Sequence, residues 1–159
     1  MIIEFFEDNL PKESFEHLTP HKAVRAVVQN NEDVCLVYLR NVDRYTLPGG
    51  GISGDETPLE ALKRELYEET GVEIVEASPT VTLKEHFRDS VWHHHFYRVK
   101  TNTAAPKPQK LTPEEKSLGF EVFFTTVTDA IDRFMMESDK NPYTNQIHKR
   151  ELMGLLHSL

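Results

Sequence analysis

Between Gly50 and Val72 the chain reads GGISGDETPLEALKRELYEETGV, and no other stretch restricts its folding so tightly. Thr57 followed three residues later by Glu60 is the pattern of a capping box, in which the threonine oxygen accepts a free first-turn amide and the glutamate reaches back to the amide of Thr57. Pro58 falls at the first helical position, where its missing N–H costs nothing, and Gly71 suits the left-handed residue that closes a helix. The start and stop signals therefore agree on one helix. On it Leu59, Leu62 and Leu66 form a narrow apolar stripe, with Glu60, Lys63 and Tyr67 turned to the other side. Glu65 and Glu69 are one turn apart beside that stripe, Glu68 lies just beyond, and the three carboxylates share a face.

Like charges at such spacings repel by roughly a few tenths of a kcal/mol per pair on an exposed helix, and by more where burial lowers the effective dielectric. A solvated acidic face is the bland account of these acids. Against it, they adjoin the apolar stripe instead of opposing it, and they follow Gly49-Gly50-Gly51, a turn able to bring backbone close to a ligand. Hard oxygen ligands grouped in this way suit Mg²⁺ or Mn²⁺, with waters and substrate phosphates completing the shell.

Gly50, five residues, Glu56, seven residues, then Arg64-Glu65-Leu66-Tyr67-Glu68-Glu69-Thr70-Gly71-Val72 resembles the complete signature of the Nudix hydrolase family, with no position departing from it. The motif covers Gly50 to Val72 only. Tyr45 to Gly49 and Gly119 to Phe124 resemble the family more weakly.

The 159 residues, 38% of them apolar, fit one domain spanning residues 1–159 and able to bury its own core. A formal net charge of −8 argues against a nucleic-acid polymer or an anionic membrane surface as the main partner, but not against a small phosphate ester met by a metal. No apolar run is long enough to span a bilayer, Met1-Ile2-Ile3 leads straight into acidic residues unlike a secretory signal, and Cys35 is alone. The cytoplasm is the expected compartment, and a homodimer is compatible with the sequence.

Along the chain, strand character appears from Met1 to Asp8, and Pro11 to Pro20 reads as a connection. His21 to Gln29 and Asp33 to Arg40 form a hairpin about Asn30-Asn31-Glu32. Val24, Ala26 and Val28 alternate with Arg25 and Val27, which puts Arg25 on the opposite face as a surface or salt-bridging residue, or as a clamp for a phosphate. Arg44 and Tyr45 precede the glycine turn, where they can reach a ligand or, for Tyr45, pack beneath it. Cys35 lies in an apolar run and reads as an inert core residue.

Glu73 to Glu76 and Val81 to Phe87 have strand character, interrupted at Ser78-Pro79, and Ser90 to Thr101 is a further strand. It carries His93-His94-His95, whose side chains alternate between faces, so a structural or substrate-edge role is expected ahead of a zinc site. Ala104 to Pro113 reads as an exposed loop, and Thr112-Pro113-Glu114-Glu115 as the opening of a short helical turn. Gly119 to Thr126 is a last strand. A helix from Thr128 to Glu137 should present Ala130, Ile131, Phe134 and Met135, with Met135 and Met136 as core filling, and Tyr143 to Leu159 a final helix with Ile147, Leu152, Leu155 and Leu156.

These elements indicate an α/β layer architecture, which the resemblance sharpens to a Nudix-like α/β/α sandwich with a mixed β-sheet between helices. The resemblance further implies hydrolysis of a phosphoanhydride in a nucleoside diphosphate linked to another group, as in nucleoside triphosphates, ADP-ribose-like compounds or dinucleoside polyphosphates. Glu65, Glu68 and Glu69 would hold Mg²⁺ or Mn²⁺, Arg64 would orient them, and the backbone of Gly49 to Gly51 would fix the turn near the substrate. A further acid is expected from the later loop, Glu115 and then Glu114. The resemblance leaves the proton-accepting carboxylate open among Glu65, Glu69 and Glu115. A non-catalytic nucleotide-binding module and a purely structural acidic domain are the competing classes.

Overall fold

A computed structural model describes residues 1–7, 11–138 and 145–159. In chain order the elements are β1 (Ile2–Phe6), β2 (His21–Asn30), β3 (Asp33–Leu39), β4 (Arg44–Thr46), β5 (Gly49–Gly51), α1 (Pro58–Thr70), β6 (Glu76–Phe87), β7 (Ser90–Lys100), α2 (Pro113–Ser117), β8 (Phe120–Thr126), α3 (Val127–Ser138) and α4 (Asn145–His157). Short 3₁₀ turns occupy Lys12–Phe15 and Arg40–Val42.

The period-2 alternation of β2 has the consequence expected of a strand buried on both faces. Val24, Ala26 and Val28 join Cys35 of β3 and Ala61, Leu62 and Leu66 of α1 in one core, while Val27 joins Leu36, Leu83, Phe96, Phe134 and Leu155 in a second. The sheet thus lies between α1 on one face and the α3–α4 pair on the other, an α/β/α sandwich. Its strand order is β1-β6-β7-β2-β3-β4, with β5 paired to β2 and β8 to β3. The sheet is mixed, since β1–β6 and β2–β7 run parallel and the remaining pairs antiparallel.

The hairpin between β2 and β3 is paired only at its turn, through Gln29 with Val34 and Asn30 with Asp33. Beyond that point β2 takes β5 as its neighbour and β3 takes β4 and β8. The two strands part and leave a cleft at the end of the sheet away from the turn.

Several expectations change with packing. Leu59 is exposed, and the buried side of α1 is Ala61, Leu62, Glu65, Leu66, Glu69 and Thr70. Met135, Met136 and Leu156 are exposed instead of filling the core. Pro79 does not break its strand. β6 runs through it with a register shift between Pro79 and Thr82, the irregularity at which a residue without an N–H is tolerated, and Glu73 to Val75 precede the strand. The start of the last helix at Tyr143 and the side chain of Ile147 lie outside the described residues. Close packing of α4 on the sheet rests on Gly154, where an added Cβ would fall 1.9 Å from the Phe96 ring.

Candidate active site

Both capping-box bonds of α1 are present: Glu60 N donates to Thr57 Oγ1 at 3.2 Å, and Thr57 N to Glu60 Oε2 at 2.8 Å. Gly71 closes the helix at φ 61°. With its ends fixed, α1 turns Glu65 and Glu69 inward against β5, both nearly buried. Glu69 Oε2 accepts from Gly49 N at 2.8 Å, and the carboxyl of Glu65 sits directly over Gly50. Gly50 therefore has room for a side chain only if Glu65 moves away, since a Cβ there would lie 2.5 Å from the Glu65 carboxyl carbon. Gly49 is held at φ 140°, and its Cβ would meet the Val24 carbonyl oxygen at 2.1 Å. The glycines lie in a short strand, where Gly49 is required by close packing on the Val24 backbone and Gly50 leaves space for the Glu65 carboxyl. Gly51 has open space around its Cα.

Arg64 turns back over the same helix. Its Nε and Nη2 donate to Glu56 at 2.7 and 2.9 Å, its Nη1 to Glu65 Oε1 at 2.7 Å, and its Nη2 also to Gly51 O at 3.0 Å. Glu68 Oε2 is 3.5 Å from Arg64 Nη1. Arg64 thus ties α1 to the glycine strand and orients Glu65. Glu56, fixed by it, has its carboxyl drawn down to about 2, chiefly by the bond from Arg64 and then by the Ser53 amide. Sequence reasoning had named Glu56 only as a position of the signature, without a role.

The third acid of the cluster comes from far along the chain. The loop expected to be exposed is pinned to the C-terminal end of α1: Lys107 N donates to Thr70 O at 2.7 Å, and Gln109 N and Lys110 N to Glu68 O at 2.9 and 3.0 Å. These bonds satisfy carbonyls that a helix end leaves without partners. The loop then enters α2 through a second capping box, with Glu115 N donating to Thr112 Oγ1 and Thr112 N to Glu115 Oε2. One carboxylate oxygen from each of Glu65, Glu69 and Glu115 lies within 4.8 Å of the others. The structure gathers Glu115, the further acid expected from this loop, with Glu65 and Glu69, while Glu68 lies beside them at Arg64 and Glu114 stays exposed. Burial pushes Glu69 up to about 8, with the neighbouring Glu65 and Glu115 adding to it, while the Gly49 amide and Arg25 oppose. Burial also raises Glu65, against the pull of Arg64. A compact oxygen trio whose charges are mutually unfavourable is a donor set suited to a hard divalent cation.

The cleft between the parted strands, about 430 Å³, opens from this trio. Glu69 and Glu115 form one side, Arg25, Arg44 and Arg150 contribute cations, and Leu39, Leu118 and Phe120 with Phe87 and Trp92 give apolar walls. Arg25 Nη1 donates to Gly49 O at 2.6 Å, whereas its Nε, 3.9 Å from Glu151 Oε1, has no hydrogen-bond partner among the described residues. Arg44 Nε is likewise buried and without a partner among the described residues. Tyr45 is not in the cleft. Adjacent to Arg44 in β4, it faces the other way, stacked on Tyr38 at 4.6 Å and bonded through its hydroxyl to Arg133.

At the inner end of the cleft is a buried polar group that the sequence did not reveal. Arg150 donates to Glu151 Oε1 through Nε and Nη2 at 2.8 and 2.6 Å and approaches Glu85 Oε2 at 3.3 Å. His94 Nε2 is 2.9 Å from the same Glu85 oxygen. Burial drives His94 down to about 2, helped by Arg150 and Arg25, so its ring is neutral. Of the histidine run, His93 and His95 point to the other face, His95 Nδ1 lying 3.2 Å from Thr82 Oγ1. No histidine belongs to a potential metal cluster among the described residues.

The NUDIX domain family model matches residues 19–147, a span that includes the whole acidic helix, the glycine strand and Glu115. The chain belongs to this family. An RNA pyrophosphohydrolase of Bartonella henselae is 58% identical over 33 residues, 21% of this chain and 19% of that protein. The matched stretch is thus about a fifth of the curated relative. Among solved structures, the fold is similar to that of MutT from Aliivibrio salmonicida and Vibrio cholerae, at 14% identity and TM-score 0.56, covering 85% of this chain and 98% of that one. It is also similar to the MutT protein of Bacillus halodurans, at 18% identity and TM-score 0.54, covering 71% and 72%. Such likenesses concern the Nudix fold.

Proposed function

We propose that this Nudix protein is a Mg²⁺- or Mn²⁺-dependent pyrophosphohydrolase that cleaves the phosphoanhydride of a nucleoside diphosphate linked to another moiety, in the cytoplasm. The observation that carries the reading is the trio of Glu65, Glu69 and Glu115 at the mouth of a cleft that also holds arginines with buried, unpartnered N–H groups. The name of the Bartonella henselae relative, an enzyme of pyrophosphate hydrolysis, agrees with it.

Glu65, Glu69 and Glu115 would hold the cation, which when bound neutralises the diphosphate and makes its coordinated water a stronger acid. Arg64 keeps Glu65 in place and leaves Glu68 beside it to complete the acidic surface. Arg25 and Arg44 face the cleft with donors to spare and take the phosphate oxygens that the metal side does not reach. A carboxylate of the trio accepts the proton of the attacking water. The apolar walls exclude competing solvent around the rest of the substrate.

The test is a panel of nucleoside triphosphates, nucleotide sugars, ADP-ribose and dinucleoside polyphosphates incubated with Mg²⁺ or Mn²⁺, with products separated by chromatography. Cleavage between phosphorus atoms in at least one of them is expected. No turnover of any compound with either metal would remove the hydrolase reading and leave a nucleotide-binding module.

A further inference from the structure

The inner end of the cleft holds polar atoms that the proposed phosphate chemistry does not use. Glu85 and His94 are both almost completely buried, yet both line the cavity. Glu85 Oε2 faces Arg150 and lies 2.9 Å from His94 Nε2, but among the described residues neither Glu85 Oε1 nor either ring nitrogen of His94 has a hydrogen-bond partner. Buried acceptors are rarely left unmade, because each such vacancy costs the full desolvation of the group. The frame that places them is rigid: Arg150 is bonded twice to Glu151, and Glu151 Oε2 accepts from Leu47 N at 2.7 Å. Phe87 and Trp92 stand beside them, flat apolar surfaces next to the polar edge.

Resting on the nucleotide reading above, we propose that Glu85, His94 and Arg150 form a nucleobase-reading site selective for a guanine-type edge. Assigning the single proton of neutral His94 to Nε2, the ring nitrogen 2.9 Å from a Glu85 oxygen, leaves His94 Nδ1 and Glu85 Oε1 as two acceptors, and Arg150 brings cationic donors alongside. Guanine presents two neighbouring donors, N1–H and the 2-amino group, followed by the O6 acceptor. It is the complement of this pattern. Adenine places an unprotonated ring nitrogen where the carboxylate expects a donor, and uracil and cytosine each offer one donor only. A site built to accept from N–H groups rejects bases that lack them, because its own buried acceptors then stay unpaired.

Trp92 is the chain's one tryptophan and lines the cavity, so its fluorescence reports occupancy. GMP, IMP and AMP are titrated into the full chain in chelator, with calorimetry of the same titrations. GMP is expected to bind tightest, IMP, which lacks the 2-amino group, about tenfold more weakly, and AMP more weakly still. Glu85→Gln should bring GMP down to the level of AMP while leaving AMP unchanged, and the comparison of the three nucleotides on the parent stands even if that variant folds poorly. Equal affinities, or no saturable response to any of the three, would overturn the proposal. Because binding is read without turnover, hydrolysis with no base preference sinks this inference alone, and a GMP preference without hydrolysis sinks the hydrolase reading alone.

Discussion

Gly49, Gly50 and Gly51 are chemically identical neighbours with three different surroundings, so one alanine series separates fold from site. At Gly49 the backbone is at φ 140° and an added Cβ meets the Val24 carbonyl oxygen at 2.1 Å and Arg25 Cα at 2.9 Å, neither of which can yield without moving β2. Backbone strain of about 1–3 kcal/mol and overpacking of about 1–3 kcal/mol together predict a loss of about 3 kcal/mol or more, a large share of a domain's stability. At Gly50 the obstruction is the Glu65 carboxyl, with its three atoms 2.5–2.6 Å from the Cβ, at the far end of a side chain that can swing aside. Gly50→Ala should therefore cost only about 1 kcal/mol of metal-free stability, while expelling Glu65 from the trio. At Gly51 there is nothing within 4 Å, and alanine should be neutral to within about 0.5 kcal/mol.

The assay is urea unfolding of parent and variants in chelator and with Mg²⁺ at about 100 times its dissociation constant, where a metal bound only to the folded parent adds roughly 2.7 kcal/mol. Gly51→Ala should keep that increment and Gly50→Ala should lose most of it. A full Mg²⁺ response in Gly50→Ala would refute the placement of Glu65 as a ligand. A Gly51→Ala loss as large as that of Gly49→Ala would refute the geometry of the strand.

Thr57→Ala should lower stability by about 1 kcal/mol by freeing a first-turn amide, with the Mg²⁺ response intact; an unchanged melting temperature would show that the cap carries nothing. In chelator, burial holds the Glu69 carboxyl at about 8, above its unfolded value of about 4.3. Between those values the folded state keeps a proton that the unfolded state has released, so metal-free stability should fall as pH rises from about 4.3 to 8 and level off above. Glu69→Gln should flatten that decline and remove the Mg²⁺ increment and most activity, whereas Glu68→Gln, outside the trio, should keep more of both. A steeper decline in Glu69→Gln would contradict the assignment.

What the sequence made legible is what local chemistry determines. The ends of α1 follow from Thr57, Glu60, Pro58 and Gly71, and its inward acids from helical spacing, because all of these partners lie within a few residues of one another. That Glu115 reaches the acids of α1 was expected only from the resemblance and not from local spacing, because it depends on the bonds from Lys107, Gln109 and Lys110 that pin the loop to the end of α1. Glu85, His94 and Arg150 meet only after β6 and β7 pair in register and α4 docks on them. One signal was available: Arg150-Glu151 immediately precedes Leu152 and Leu155, so charges intrude on the apolar side of a helix, which is tolerable only if they are paired inside. Met135 and Leu59 misled for the converse reason, that apolar residues are common on surfaces.

The two walls of the cleft are registered against one short segment of backbone. The amides of Tyr45, Leu47 and Gly49 are each held by a carboxylate from a different helix: Glu137 of α3 at 2.6 Å, Glu151 of α4 at 2.7 Å and Glu69 of α1 at 2.8 Å. Hydrogen bonds contribute roughly 0.5–1.5 kcal/mol each, and more where the acceptor is ionised, so this segment is fixed more firmly than a connection of its length would be by strand pairing alone. Glu69 serves the acid trio as well, and Glu151 also holds Arg150, the cation of the inner site. Arg25 closes the loop by donating to the carbonyl of the same Gly49. The distance between the acid trio and the inner polar end is therefore set by the backbone from Leu47 to Gly49 instead of by side-chain flexibility.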